Sequence, residues 1–76
     1  MTGTKHEIWR ERISGEFWVV ELARGRLVGC CGPLTPGDLT GLSLGDLTFE
    51  RDRSVLRTLW ARRDQFLRQP GEEEPT

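Results

Sequence analysis

The run Phe17-Trp-Val-Val-Glu-Leu-Ala23, closed at one end by Ser14-Gly15 and at the other by Arg24-Gly25, constrains this chain more than any other feature. Aromatic and β-branched residues in succession suit a pleated, half-buried strand. Two-residue hairpin turns need positive φ, which glycine adopts without a Cβ penalty. The run is therefore read as the middle strand of a three-stranded antiparallel meander, with residues 8–13 before it and 27–31 after it. Gly32-Pro33 ends the meander, because proline donates no ladder hydrogen bond.

Tight turns at both glycine pairs set a register. Leu22 faces Leu27, Val20 faces Gly29 and Trp18 faces Cys31, while Trp9 faces Val20 and Glu11 faces Trp18. Opposed residues share a face. One face then collects Trp9, Ile13, Trp18, Val20, Leu22, Leu27 and Cys31, the better core. The other carries Ile8, Arg10, Arg12, Phe17, Val19, Glu21, Val28 and Cys30.

Thr35-Pro36 with Asp38 three residues after the threonine has the form of a helix start. A short helical turn and a loop follow, with Leu39, Leu42, Leu44, Leu47 and Phe49 plugging the side of the core. A short fourth strand at 47–49 is compatible with this pattern. Asp52 or Ser54 can cap a helix running to Gln69, where Pro70-Gly71 stops it. Its apolar positions form two neighbouring stripes, Val55, Leu59 and Phe66 beside Leu56, Trp60 and Leu67, so the helix is amphipathic and lies on the sheet. Arg63 projects between the stripes, either carrying its guanidinium out to water or meeting Glu11. Residues 71–76 read as a disordered acidic tail. The fold class is α+β: the three-stranded meander, with room for a short fourth strand, packed on one C-terminal amphipathic helix, in one domain spanning 1–70.

At 76 residues there is room for one small core and for no dinucleotide-binding sheet or TIM barrel. No stretch approaches the roughly 18 apolar residues that span a bilayer, and the polar N-terminus has no signal-peptide core. The two cysteines are adjacent, Cys30 and Cys31, and cannot cross-link a long loop. A reducing, cytoplasmic setting is expected. Neighbouring strand cysteines point to opposite faces and do not converge on a metal, and His6 is the sole histidine to add. No metal or cofactor site is read. Ser14, Ser43 and Ser54 lack a nucleophile-elbow context, no Gly-Lys-Ser/Thr phosphate loop occurs, and His6 sits in a frayed segment beside Glu7. The chain is read as non-catalytic.

Two surfaces remain. The second sheet face (Ile8, Arg10, Arg12, Phe17, Val19, Glu21, Val28 and Cys30) exceeds what one helix can cover and would suit a second copy or another protein, unless residues 34–49 fold over it. The helix face bearing Arg53, Arg57, Arg62 and Arg68 could instead follow phosphates. Residues 50–70 hold six Arg against three carboxylates, but Asp64 interrupts that face and the whole chain has a net charge of −1. A protein-interaction module is the favoured expectation, and nucleic-acid association the alternative.

Overall fold

The computed structural model describes residues 3–41 and 43–70. Four strands, β1 (Lys5–Glu11), β2 (Phe17–Ala23), β3 (Arg26–Leu34) and β4 (Phe66–Pro70), form one antiparallel sheet in the order β3-β2-β1-β4. Helices α1 (Pro36–Leu39) and α2 (Arg53–Ala61) lie between β3 and β4 in sequence. The meander and the α+β class are as expected. Leu42 and the tail 71–76 lie outside the described residues, as does the side chain of Leu44.

The Arg24-Gly25 turn is the tight one expected. Arg24 and Gly25 have φ of 54° and 76°, and Leu22 pairs with Leu27. At the other hairpin, the Glu11 N–H donates to the Glu16 carbonyl at 2.8 Å, closing a four-residue loop over 12–15 instead of a two-residue turn. Trp9 therefore faces Trp18, not Val20, and Arg10 faces Phe17. This offset is even, so every β1 side chain keeps its face. Ile13, expected in the core, is instead 95% exposed at the loop tip.

An odd offset does occur on β3. Leu22 faces Leu27 but Glu21 faces Gly29, so Val28 is an extra residue in β3, a bulge. Beyond it the faces exchange. Cys30 pairs with Val20 and is 1% exposed in the core, while Cys31 pairs with Val19 and is half-buried on the other side. The expected cysteine placement is reversed. A second irregularity sets Phe17 opposite Leu34. Here Gly32 is needed for space, because a Cβ would lie 2.7 Å from Trp18 Cδ2.

The helix ends at Ala61, not Gln69. A 3₁₀ turn over Arg63–Gln65 redirects the chain into β4, so the fourth strand comes from 66–70. Phe66 and Leu67 satisfy a helical stripe, but they satisfy strand alternation equally well. As β4 they meet the backbone groups on the outer edge of β1. Glu11 faces Phe66 and Arg10 faces Leu67, and the Arg12 N–H extends the pairing to the Gln65 carbonyl at 3.0 Å. Near 47–49 there is only an isolated bridge, in which Glu50 pairs with Cys30 on the outer edge of β3.

Helix α2 starts as the sequence indicates. Asp52 is the N-cap, accepting from the Ser54 N–H at 2.8 Å and the Ser54 hydroxyl at 2.6 Å. Those bonds, with one from the Val55 N–H, hold the Asp52 carboxyl below its usual range. A lowered folded-state value means the cap contributes stability above the ordinary carboxylate range and loses it as pH falls through the folded value. Thr35 and Asp38 form the expected capping box on α1.

Leu56 and Leu59 of α2 pack with Trp9, Val20, Leu22, Cys30 and Phe66, with Trp18, Leu27 and Trp60 beside them. Trp9 is fully buried, its ring 5.5 Å from that of Phe66 and 6.3 Å from that of Trp60, and its Nε1 donates to Glu7 Oε1 at 3.0 Å. Val55, placed in a stripe by helical spacing, is 41% exposed.

Candidate functional site

The second sheet face is partly covered. Val19 is 2% exposed and Glu21 9% exposed, although α2 packs on the opposite side. Phe49 and Arg51 lie over the His6 and Glu21 end of this face. The Phe49 ring lies 5.6 Å from the His6 ring, and the Arg51 guanidinium sits 5.9 Å from the Phe49 centroid. Of the eight residues expected to form an interface, Val19 and Glu21 are buried on that face, and Cys30 is buried in the core on the opposite one. Ile8, Phe17 and Val28 are half-buried, and Arg10 and Arg12 are exposed.

Beside Phe49 lies a part-buried ion cluster that the sequence did not reveal. Arg51 Nη1 donates to Glu21 Oε1 at 2.5 Å, and His6 Nε2 lies 3.3 Å from Glu21 Oε2. His6 is an ordered, half-buried member of β1, not a frayed residue. Gly29 makes room for this cluster, since a Cβ there would lie 2.4 Å from Glu21 Oε1 and 3.2 Å from Arg51 Nη1. The carboxylate is enclosed while the Arg51 side chain is 59% exposed, so the two ends differ in what their loss does. Arg51→Ala strands a buried carboxylate beside His6 and is expected to destabilise by about 2–3 kcal/mol. Glu21→Gln keeps an acceptor and leaves Arg51 in water, at about 1 kcal/mol. Urea unfolding of the two variants checks the order; equal losses would contradict it.

The exposed end of Arg51 opens into a groove of about 590 Å³ between the β2–β3 hairpin and α2. Its lining contains Arg26, Arg51, Arg53 and Arg57 with Leu27, Leu56 and Trp60, and none of its nine residues is acidic. Among the described residues, Arg26, Arg53 and Arg57 form no ion pair. This clustering opposes stability. Arg53 and Arg57 repel at i, i+4, and Arg53 stands in the first turn of α2, where the helix dipole favours anions. A concave surface of unpaired guanidinium groups is suited to holding phosphate or carboxylate oxygens.

The arginine face expected from a long helix is thus redistributed. Arg53 and Arg57 line the groove. Arg62 instead donates to Glu11 Oε2 at 2.6 Å, taking the partner that was one of two alternatives for Arg63. Arg63 lies over the Trp60 ring at 4.5 Å and donates to the Trp60 carbonyl at 2.8 Å. Arg68 sits on β4, 5.8 Å from the Trp9 centroid. Asp64 falls in the 3₁₀ turn and no longer interrupts a helical arginine face.

Elsewhere the chemistry is sparse. Among the described residues no His, Cys, Asp and Glu cluster could hold a metal. Burial pushes the Cys30 thiol up, with the Glu50 carboxylate and Cys31 adding to it, so this thiol stays protonated and weakly nucleophilic. No helix of the described residues is long and apolar enough to cross a membrane. Comparison with protein-family models, curated proteins and solved structures found no match.

Proposed function

We propose that this protein is a small, non-catalytic nucleic-acid-binding module that holds the phosphate backbone in the groove between the β2–β3 hairpin and α2. The observation carrying this reading is the groove's lining: four arginines, three of them without an ion-pair partner, no carboxylate among the described residues, and Trp60 as an apolar wall, on a chain whose net charge is −1. Guanidinium groups meeting phosphates release condensed counterions, and affinity then depends on salt. Contacts to phosphate position a strand without selecting its sequence. The sheet-face contact with a second copy or a protein partner has less support, because three of its residues are enclosed. Two free cysteines of unspaced pattern favour a reducing, cytoplasmic setting for this role.

The test is fluorescence anisotropy with a labelled oligothymidylate of about six nucleotides. Arg51 is already neutralised by Glu21, so three backbone contacts, from Arg26, Arg53 and Arg57, give a log–log salt slope near −2.1 on a single strand, and affinity should fall about 20-fold between about 50 and 200 mM salt. No binding at micromolar protein in the lower salt would end this reading. A salt-insensitive complex would end it equally.

A further inference from the structure

Resting on that reading, we infer that the ligand is a single strand, not a duplex, and that it crosses the molecule over Trp60 into a second basic groove. This second groove, of about 420 Å³, contains Lys5, Arg24 and Arg68. Gly25 and Trp60 line both grooves, so the two meet at the tip of the β2–β3 hairpin. Their other walls diverge. The first groove is bounded by β3 and α2, while the second includes Lys5 and Glu7 of β1 and Arg68 of β4. In the order β3-β2-β1-β4, β3 and β4 are opposite edges. By register, Lys5, Glu7, Leu22 and Arg68 lie on the sheet face that carries Trp9 and α2. The first groove therefore runs along α2 from Arg53 to Trp60, and the second continues from Trp60 onto β1 and β4.

Charge follows the same path. With Arg63 stacked on Trp60, eight of the chain's eleven Lys and Arg side chains lie along it. Among the described residues Glu7 is the one carboxylate lining either groove, and it accepts from Trp9 Nε1. A track that rises over the hairpin tip and descends on its far side needs a backbone that bends within a few nucleotides. Duplex DNA, with a persistence length of about 150 bp, does not bend on that scale without large cost. A single strand does.

The experiment compares oligothymidylates of about 6 and about 15 nucleotides with a duplex of the longer length. The short strand fills one groove. The long strand should add contacts from Lys5, Arg24 and Arg68 and steepen the salt slope to about −4.2. It should also bind at least tenfold more tightly than the equal-length duplex. The variant Lys5→Gln/Arg24→Asn should lower the long-strand slope by about 1.4 and leave short-strand binding unchanged. Its melting temperature should not fall, because asparagine tolerates the positive φ of 54° that Arg24 adopts. A loss of affinity therefore does not report unfolding. Equal slopes for the two strands, a duplex bound as tightly as the single strand, or a double variant without effect would each overturn the track while leaving the first groove intact. Failure of every oligonucleotide to bind would remove both.

Discussion

Trp9→Ala should leave the chain largely unfolded at room temperature. Trp9 is fully buried, contacts the rings of Phe66 and Trp60, and has the Arg68 guanidinium 5.8 Å from its centroid. Truncating a buried tryptophan costs about 3–5 kcal/mol, and a domain this small rarely has more than roughly 3–5 kcal/mol in total. The Glu7 carboxylate also loses its indole donor. No nearby side chain can move into the space cheaply, because β1 is fixed on both sides, by β2 and by β4. Loss of the near-UV circular dichroism signal and of a cooperative urea transition is expected. A variant unfolding within about 1 kcal/mol of the parent would mean that the β1–β4 pairing does not carry the core in the way described.

Arg26→Glu/Arg53→Glu is the second large effect, and it should act on binding and stability with opposite signs. Both side chains are exposed, line the first groove and lack an ion-pair partner among the described residues. Reversing them removes two phosphate contacts and adds two repulsions, so short-strand affinity should drop by at least about tenfold and the salt slope by about 1.4. A glutamate at position 53 meets the helix N-terminus favourably and converts the i, i+4 repulsion with Arg57 into an attraction. Stability should rise by about 0.5 kcal/mol or more. Weaker binding by a better-folded protein would identify the arginines as kept for a ligand. Unchanged affinity in that protein would contradict the groove.

The sequence was most readable where local chemistry decides. The Arg24-Gly25 turn, the Thr35–Asp38 capping box and the Asp52 cap each follow from residues within a few positions. The core face of β1 and β2 also emerged, because an error of two in the first hairpin preserves side-chain parity. What failed depends on pieces distant in sequence. The bulge at Val28 places Gly29 opposite Glu21, where a bare backbone is needed under the Glu21–Arg51 pair; no local pattern marks it, and it exchanges Cys30 with Cys31. Phe66 and Leu67 fit two periodicities, and the choice was made by β1, which needed a neighbour on its outer edge.

The ion cluster left one trace that could have been followed. Glu21 interrupts an otherwise apolar strand, and a carboxylate there requires a partner if the face is covered. Finding Arg51 as that partner required knowing that Phe49 and Arg51 come to lie over the second face. The groove was half legible for the same reason. Arg53 and Arg57 share a helical face, but Arg26 joins them only through the hairpin, and Arg62 and Arg68 leave once the helix stops at Ala61.

The most direct test of the groove is a ¹⁵N amide chemical-shift map of the wild-type protein titrated with an oligothymidylate of about six nucleotides. The largest shifts should fall in Gly25–Val28 and Arg51–Trp60, with little change at the 12–15 loop or at Ile8 and Phe17. Shifts concentrated at Ile8, Arg10 and Phe17, with the hairpin tip and α2 unmoved, would contradict the account.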